Sequence, residues 1–132
     1  MTEFKHDLKW ESLSKAAWKV RENAFVLGKT KVGAAVFSEN GNIYVGCNVE
    51  QRYRNHDVHA EVNAISNMIC EGETKIIAIL VVAEREKFTP CGSCMDWIFQ
   101  FGGEFTSVGY QTSPNSKIIV FKAIELMPHY PK

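Results

Sequence analysis

The hydrophobic pattern of the first third of the chain predicts one helix followed by a hairpin. Apolar side chains recur at three- and four-residue intervals over residues 11–27, which is the spacing of one helical face, and Gly28 ends this stretch. Residues 32–37 and 43–47 are short apolar runs on either side of a turn that contains an Asn-Gly pair. Such a pair is a strong hairpin signal, so we expect these two runs to be antiparallel strands.

The remaining pattern predicts three further strands and three further helices. We expect these elements at residues 60–71 (helix), 76–83 (strand), 94–101 (helix), 107–111 and 117–122 (strands) and 123–127 (a short last helix). The run 76–83 is apolar throughout, which is typical of a central strand covered on both faces. The order of elements therefore predicts an α/β fold with helices on both faces of one mixed sheet.

Composition and charge restrict the class of protein. The 132 residues, 45% of them hydrophobic, predict a single domain over residues 1–132. Fifteen Lys and Arg balance fifteen Asp and Glu, so no net charge draws the protein to nucleic acid. No apolar run approaches the roughly 20 residues of a spanning helix, and the first residues lack the pattern of a secretion signal. These features favour a cytoplasmic protein.

Two short motifs carry the candidate chemistry. His59-Ala60-Glu61 opens the second predicted helix, and Pro90-Cys91-Gly-Ser-Cys94 opens the third. Cys91 and Cys94 lie one helical turn apart and can converge on one zinc ion, and His59 can complete the set. Three protein ligands leave a position for water, and Glu61 can approach it without being a ligand. This H-x-E…P-C-x-x-C pattern is the signature of zinc-dependent deaminases of bases and nucleosides.

Two simpler interpretations of the motifs stay open. The Cys-x-x-Cys pair alone could be a redox pair, although the His-x-Glu upstream disfavours this. A structural zinc site would need a fourth protein ligand, for which His56 is the residue within reach.

At these residues the chain resembles the cytidine deaminase superfamily, along nearly its whole length. Residues 46–50 resemble the segment in which small tetrameric cytidine deaminases place an Asn and a Glu, here Asn48 and Glu50, on the ribose hydroxyls. Residues 125–130 resemble the C-terminal segment, whose aromatic residue, here Tyr130, closes a neighbouring subunit's pocket. The resemblance implies a three-layer α/β/α fold with a mixed five-stranded sheet, and a homotetramer.

The resemblance also implies a role for each site residue. His59, Cys91 and Cys94 would hold Zn²⁺, which lowers the pKa of a bound water. Glu61 would take a proton from this water, deliver it to the ring N3 and then protonate the departing ammonia. The backbone near Ala60 and Pro90 would hold the base edge. The implied reaction converts cytidine or deoxycytidine to uridine or deoxyuridine, as part of pyrimidine salvage.

Some residues depart from the family's pattern. Val62 follows Glu61, where three-cysteine relatives have an Arg; two thiolates and a neutral imidazole leave no excess charge for an Arg to offset. Thr30 stands where relatives place a base-stacking Phe. Arg52 and Arg54 replace small or aromatic residues that reach an adjacent active site. These arginines would contact an anionic or enlarged substrate, or else lie on a solvated face or in a subunit salt bridge.

Three alternative functions follow from the same residues. The first is the same chemistry on another amine, such as blasticidin S, an N4-substituted cytidine or guanine; the Asn-Val-Glu segment favours a ribonucleoside-like sugar instead. The second is a polynucleotide cytidine editor, which the zero net charge and the lack of an aromatic-basic stripe disfavour. The third is an inactive zinc-binding scaffold, which would have no need of Glu61.

Overall fold

A mixed five-stranded sheet with helices on both faces organises residues 9–86 and 88–131, the part of the chain that the computed structural model describes. The helices are α1 (Trp10–Arg21), α2 (Ala60–Cys70), α3 (Gly92–Gly102) and α4 (Ala123–Leu126), with a 3-10 turn at Arg54–His56. The strands are β1 (Gly33–Ser38), β2 (Ile43–Cys47), β3 (Ile76–Val82), β4 (Ser107–Gln111) and β5 (Ile119–Lys122). Over these ranges no helix is both long enough and apolar enough to cross a membrane.

Strand β3 is the centre of the sheet. The strand order is β2-β1-β3-β4-β5, with β3 and β4 parallel and the other neighbouring pairs antiparallel. Ile79 and Val81 belong to one core cluster, whereas Leu80 and Val82 belong to the other. Because both faces of β3 are covered, its sequence is continuously apolar instead of alternating.

The helices form two layers. Leu13 and Ala17 of α1 pack with Ala35 and Leu80 on one face of the sheet. Helices α2, α3 and α4 pack on the other face, through buried side chains that include Ile65, Met68, Met95, Ile98 and Ala123. The three-layer α/β/α architecture with a mixed five-stranded sheet, predicted from the sequence, is confirmed.

Helix α1 ends at Arg21, earlier than the predicted residue 27. The backbone beyond it pairs with another segment instead of continuing the helix. Phe25 N–H donates to the carbonyl of Asn48 at 3.1 Å, and Glu50 N–H donates to the carbonyl of Phe25 at 2.8 Å. The apolar periodicity continues through residues 22–27, so it could not reveal this distant pairing, which brings the segment beside Asn48 and Glu50.

Candidate active site

Two helix N-termini bring the predicted metal ligands together. His59 is the N-cap residue of α2, and Cys91 is the N-cap residue of α3, with Cys94 in the first turn of that helix. His59 Nδ1 lies 3.3 Å from Cys94 Sγ and 3.4 Å from Cys91 Sγ. The three donor atoms all lie within 4.8 Å of one another. Both helices pack on the same face of the sheet, so their first turns meet.

This donor set fits zinc. Zinc–sulfur bonds of about 2.3 Å and zinc–nitrogen bonds of about 2.0 Å give a tetrahedral nitrogen–sulfur edge of roughly 3.5 Å. The two nitrogen–sulfur distances of 3.3 and 3.4 Å are close to this edge. Among the described residues the donor group is His59, Cys91 and Cys94, and His56 does not belong to it. Three ligands leave one coordination position open, as in catalytic sites and unlike closed structural ones.

Glu61 places a buried carboxyl beside the donor set. It lies in the first turn of α2, and only 6% of the residue is exposed. Burial raises the pKa of the Glu61 carboxyl, and its own backbone N–H, the charge of His59 and a hydrogen bond from Cys94 oppose this shift in part. A buried carboxyl with a raised pKa can both accept and return a proton, which is what general acid–base catalysis requires.

A cavity of about 250 Å³ opens over this group. The segment that follows β2, the start of α2 and the loop that joins β3 to α3 all contribute to its lining. The residues predicted from sequence that line it are Asn48, Glu50, Arg54, His59, Ala60, Glu61 and Cys91. The predicted catalytic residue and two of the metal ligands therefore face the same cavity as the predicted sugar-binding residues.

The side chain of Asn48, on the wall of the cavity, forms hydrogen bonds with the segment just before β1. Its Oδ1 accepts a hydrogen bond from Val32 N–H at 2.9 Å, and its Nδ2 donates to the carbonyl of Thr30 at 3.1 Å. The side chain is half-buried. An asparagine amide has two N–H groups, so one remains for a substrate.

Glu50 lies on the same rim and carries a charge. Its Oε1 accepts hydrogen bonds from the backbone N–H groups of Leu27 at 2.7 Å and Gly28 at 2.9 Å. Its Oε2 pairs with Arg54 Nη2 at 3.2 Å. The hydrogen bond from Gly28, then that from Leu27, holds the pKa of the Glu50 carboxyl below its ordinary value, with a smaller contribution from Arg54. Glu50 is therefore ionised at neutral pH.

Comparison with known proteins decides the family. Residues 8–110 match the family described as the cytidine and deoxycytidylate deaminase zinc-binding region. The chain belongs to this family. A cytidine deaminase of Sporosarcina psychrophila is 38% identical over 93 residues, which span 69% of this chain and 68% of that protein. One of Shewanella woodyi is 39% identical over 69 residues, 51% of this chain and only 22% of that protein.

A solved structure of a family member agrees with the fold. The crystal structure of cytidine deaminase from Burkholderia pseudomallei has a TM-score of 0.84 and 28% identity, over 92% of this chain and 98% of that one. Family membership confirms the predicted zinc-dependent deaminase chemistry and the predicted zinc cofactor. The roles of the individual site residues stay predictions.

Three of the predicted substrate-binding residues do not line this chain's own cavity. Arg52 is exposed outside it, and Pro90 is buried beside Cys91. Tyr130 lies elsewhere, where its ring stacks on Phe99 with centroids 4.0 Å apart and its hydroxyl donates to Asp96 at 2.7 Å. The predicted contact of Tyr130 with a neighbouring subunit's pocket stays a prediction.

Arg54 lines the cavity, but two carboxylates hold it. Besides its pairing with Glu50, its Nε lies 2.8 Å from Asp57 Oδ2. Asp57 in turn accepts a hydrogen bond from Gln51 N–H at 2.7 Å. Since the guanidinium is already neutralised, this geometry disfavours a role for Arg54 in binding an anionic substrate.

Arg85 and Phe88, which were not predicted as site residues from the sequence, also line the cavity from the loop before α3. The guanidinium carbon of Arg85 lies 6.0 Å from the centroid of the Phe88 ring. Phe88 stands only three residues before Cys91, and an aromatic residue so close to a metal ligand was the available signal. Arg85 lies in a run of charged residues, a pattern that solvated loops share, so no signal distinguished it.

Proposed function

We propose that this protein hydrolyses the C4 amine of a cytidine-like pyrimidine nucleoside, releasing ammonia and the uridine-type product. The observation that carries the proposal is the buried Glu61 carboxyl beside the His59, Cys91 and Cys94 donor atoms, at the floor of a cavity. Bound zinc supplies an acidified water at neutral pH. The relatives named cytidine deaminase support the choice of substrate.

Glu61 moves the protons of the reaction. It accepts one proton from the attacking water and delivers it to N3 while the water oxygen bonds to C4. The second water proton then reaches the exocyclic amine, whose bond to C4 breaks as ammonia leaves. Atoms balance, because the product carries a C4 carbonyl and a proton on N3. The raised pKa of Glu61 supports both directions of transfer. Of the two backbone positions predicted to hold the base edge, Ala60 lines the cavity, and Pro90 adjoins it through Cys91.

Asn48 and Glu50 together bind the sugar. One N–H of the Asn48 amide has no partner among the described residues. A carboxylate offers about four lone-pair sites; Leu27, Gly28 and Arg54 occupy three of those on Glu50, so one can accept another hydrogen bond. A sugar hydroxyl both donates and accepts, so it can satisfy both residues at once.

We further propose that the protein is a cytoplasmic homotetramer that serves pyrimidine salvage. Exposed apolar side chains near the rim support assembly: Phe25, Leu27 and Tyr53 are 59%, 55% and 65% exposed. Arg52 and Tyr130, which do not line their own cavity, then contact neighbouring subunits. Sedimentation velocity of the zinc-loaded protein should give a tetramer, and a monomer at micromolar concentration would contradict the assembly.

Ammonia release tests the proposed reaction. The zinc-loaded protein should deaminate cytidine and deoxycytidine, and Glu61→Gln should lower kcat by at least about 100-fold while zinc stays bound. Glu71→Gln is the matched control, because Glu71 is an exposed carboxylate at the other end of the same helix. Substantial turnover by Glu61→Gln would contradict the assigned role.

The substrate panel separates the alternatives. Cytosine, blasticidin S, N4-methylcytidine, guanine and single-stranded oligocytidylate should all react slowly compared with the two nucleosides. Turnover of one of these with silence on cytidine would keep the chemistry and replace the substrate. If the protein binds zinc but releases ammonia from none of these compounds or from the two nucleosides, the inactive zinc-binding scaffold is the remaining interpretation.

A further inference from the structure

We infer that Phe88 provides the aromatic surface against which the pyrimidine ring packs, and that it is a specificity-determining residue of this pocket. The inference rests on the proposed function and adds a residue that the zinc motif does not contain.

The composition of the cavity wall points to Phe88. Among the described residues that line the cavity, Phe88 alone has a benzene ring. The other aromatic ring there, the imidazole of His59, belongs to the metal donor set. Thr30 lines the same cavity but offers no planar surface. A pyrimidine base has two apolar faces that water solvates poorly, and the flat face of an aromatic side chain is the surface that best matches them.

The position of Phe88 places this surface close to the reacting group. It lies in the loop between β3 and α3, three residues before Cys91, and its side chain is half-buried. The cavity that it lines also contains Glu61 and His59. A pyrimidine whose C4 amine lies near Glu61 and His59 therefore occupies the same cavity that Phe88 lines.

The ring of Phe88 is held in place before a substrate arrives. Its centroid lies 5.8 Å from that of Tyr110, with the planes tilted by 53°, and Tyr110 is 9% exposed. The guanidinium carbon of Arg85, which lines the same cavity, lies 6.0 Å from the centroid of the Phe88 ring. A fixed ring loses little conformational freedom on binding, so most of the stacking free energy contributes to affinity.

Two substitutions distinguish the flat ring from mere apolar volume. Phe88→Leu removes the plane and keeps an apolar side chain, whereas Phe88→Tyr keeps the plane. We expect Phe88→Leu to raise the KM for cytidine about 10-fold with a smaller change in kcat, and Phe88→Tyr to stay within about twofold of the wild type. Phe105→Leu is the matched control, because Phe105 is 70% exposed and lies outside the cavity.

A binding measurement separates affinity from catalysis. In the Glu61→Gln background, calorimetry should give a Kd for cytidine that rises about 10-fold with Phe88→Leu and hardly changes with Phe105→Leu. Zinc content and melting temperature are measured for every variant. If Phe88→Leu loses zinc or unfolds, Phe88→Met takes its place in the same comparison.

The outcomes for Phe88 and for the proposed function are separable. An active wild type whose KM and Kd are unchanged by Phe88→Leu or Phe88→Met overturns the inference and leaves the function intact. A wild type that is silent on cytidine but deaminates another planar amine overturns the proposed substrate, and the same variants then judge Phe88 on that amine. A wild type that binds none of the panel overturns both.

Discussion

A single carboxylate, that of Glu50, joins the backbone, an arginine and the predicted sugar site. Glu50→Gln keeps an oxygen for the N–H groups of Leu27 and Gly28, but it replaces the Oε2 acceptor with an amide that donates. We expect the KM for cytidine to rise about 10-fold or more, because a hydrogen bond to a charged group is worth about 1.5–3 kcal/mol. Turnover of sugarless cytosine, although slow, should not change.

The pH dependence provides a second check on Glu50. Its pKa is lowered, so the carboxylate is ionised throughout the neutral range, and the KM ratio of variant to wild type should be the same at pH 6 and pH 8. Glu39→Gln, at an exposed turn position outside the cavity, is the control. Equal losses on cytidine and on cytosine would show that Glu50 acts only through the structure of the loop.

At the scale of single residues, the sequence predicts the zinc group better than the cavity around it. His59, Cys91 and Cys94 could be found because helical spacing fixes two of them and helix N-termini position all three. Arg85 could not, because loop side chains converge only through the tertiary structure, and for Phe88 the one local signal was its position three residues before Cys91. Likewise, the presence of Arg52 and Arg54 in the sequence did not indicate that Asp57 would pair with Arg54 and neutralise its charge.

At the scale of elements, the position of α2 on the sheet depends on Gly46 in β2. A Cβ at Gly46 would lie 2.3 Å from the backbone nitrogen of Ala64 and 2.8 Å from the carbonyl oxygen of Ala60. The missing side chain therefore lets the helix backbone contact the strand. Because His59 is the N-cap residue of α2 and Glu61 lies in its first turn, this contact also fixes their depth in the cavity.

Gly46→Ala should therefore damage both stability and metal binding. We expect the free energy of unfolding to fall by about 3 kcal/mol, the upper end of the usual cost of overpacking, because both partners are backbone. Urea unfolding and zinc content measure the two effects. Gly92→Ala is the control for stability, since a Cβ there would contact nothing within 4 Å. An unchanged midpoint in Gly46→Ala would mean that α2 can move away without cost.

The elements themselves were predictable where a local signal exists. The Asn-Gly turn, the apolar run of β3 and the glycines after α2 and α3 are such signals, and each predicted element is present. The boundary of α1 was predicted wrongly because its end is decided by Phe25 pairing with residues 48–50, more than twenty positions away. Hydrophobic periodicity indicates which face of a helix is buried, but it contains no information about a distant segment with which the backbone pairs.

At the scale of the whole molecule, the metal site connects helices that pack separately on the sheet. His59 comes from α2, whereas Cys91 and Cys94 come from α3, and the central strand β3 lies between these helices in the chain. Such a connection stabilises the folded state alone, because the unfolded chain does not hold three donors together. Zinc is therefore expected to stabilise the whole fold as well as serve catalysis.

Removal of zinc should lower the melting temperature of the protein as a whole. At a free zinc concentration about 1,000 times the Kd, binding contributes about 4 kcal/mol, which corresponds to roughly 15 °C for a chain of this size. Calorimetry of the zinc-loaded, chelated and zinc-restored protein measures this shift. Cys94→Ser should abolish it, whereas Cys70→Ser should preserve it, since Cys70 is an exposed cysteine outside the donor group. An unchanged melting temperature after verified zinc removal would limit the metal to catalysis, and the packing of α2 and α3 on the sheet would then suffice to hold the site together.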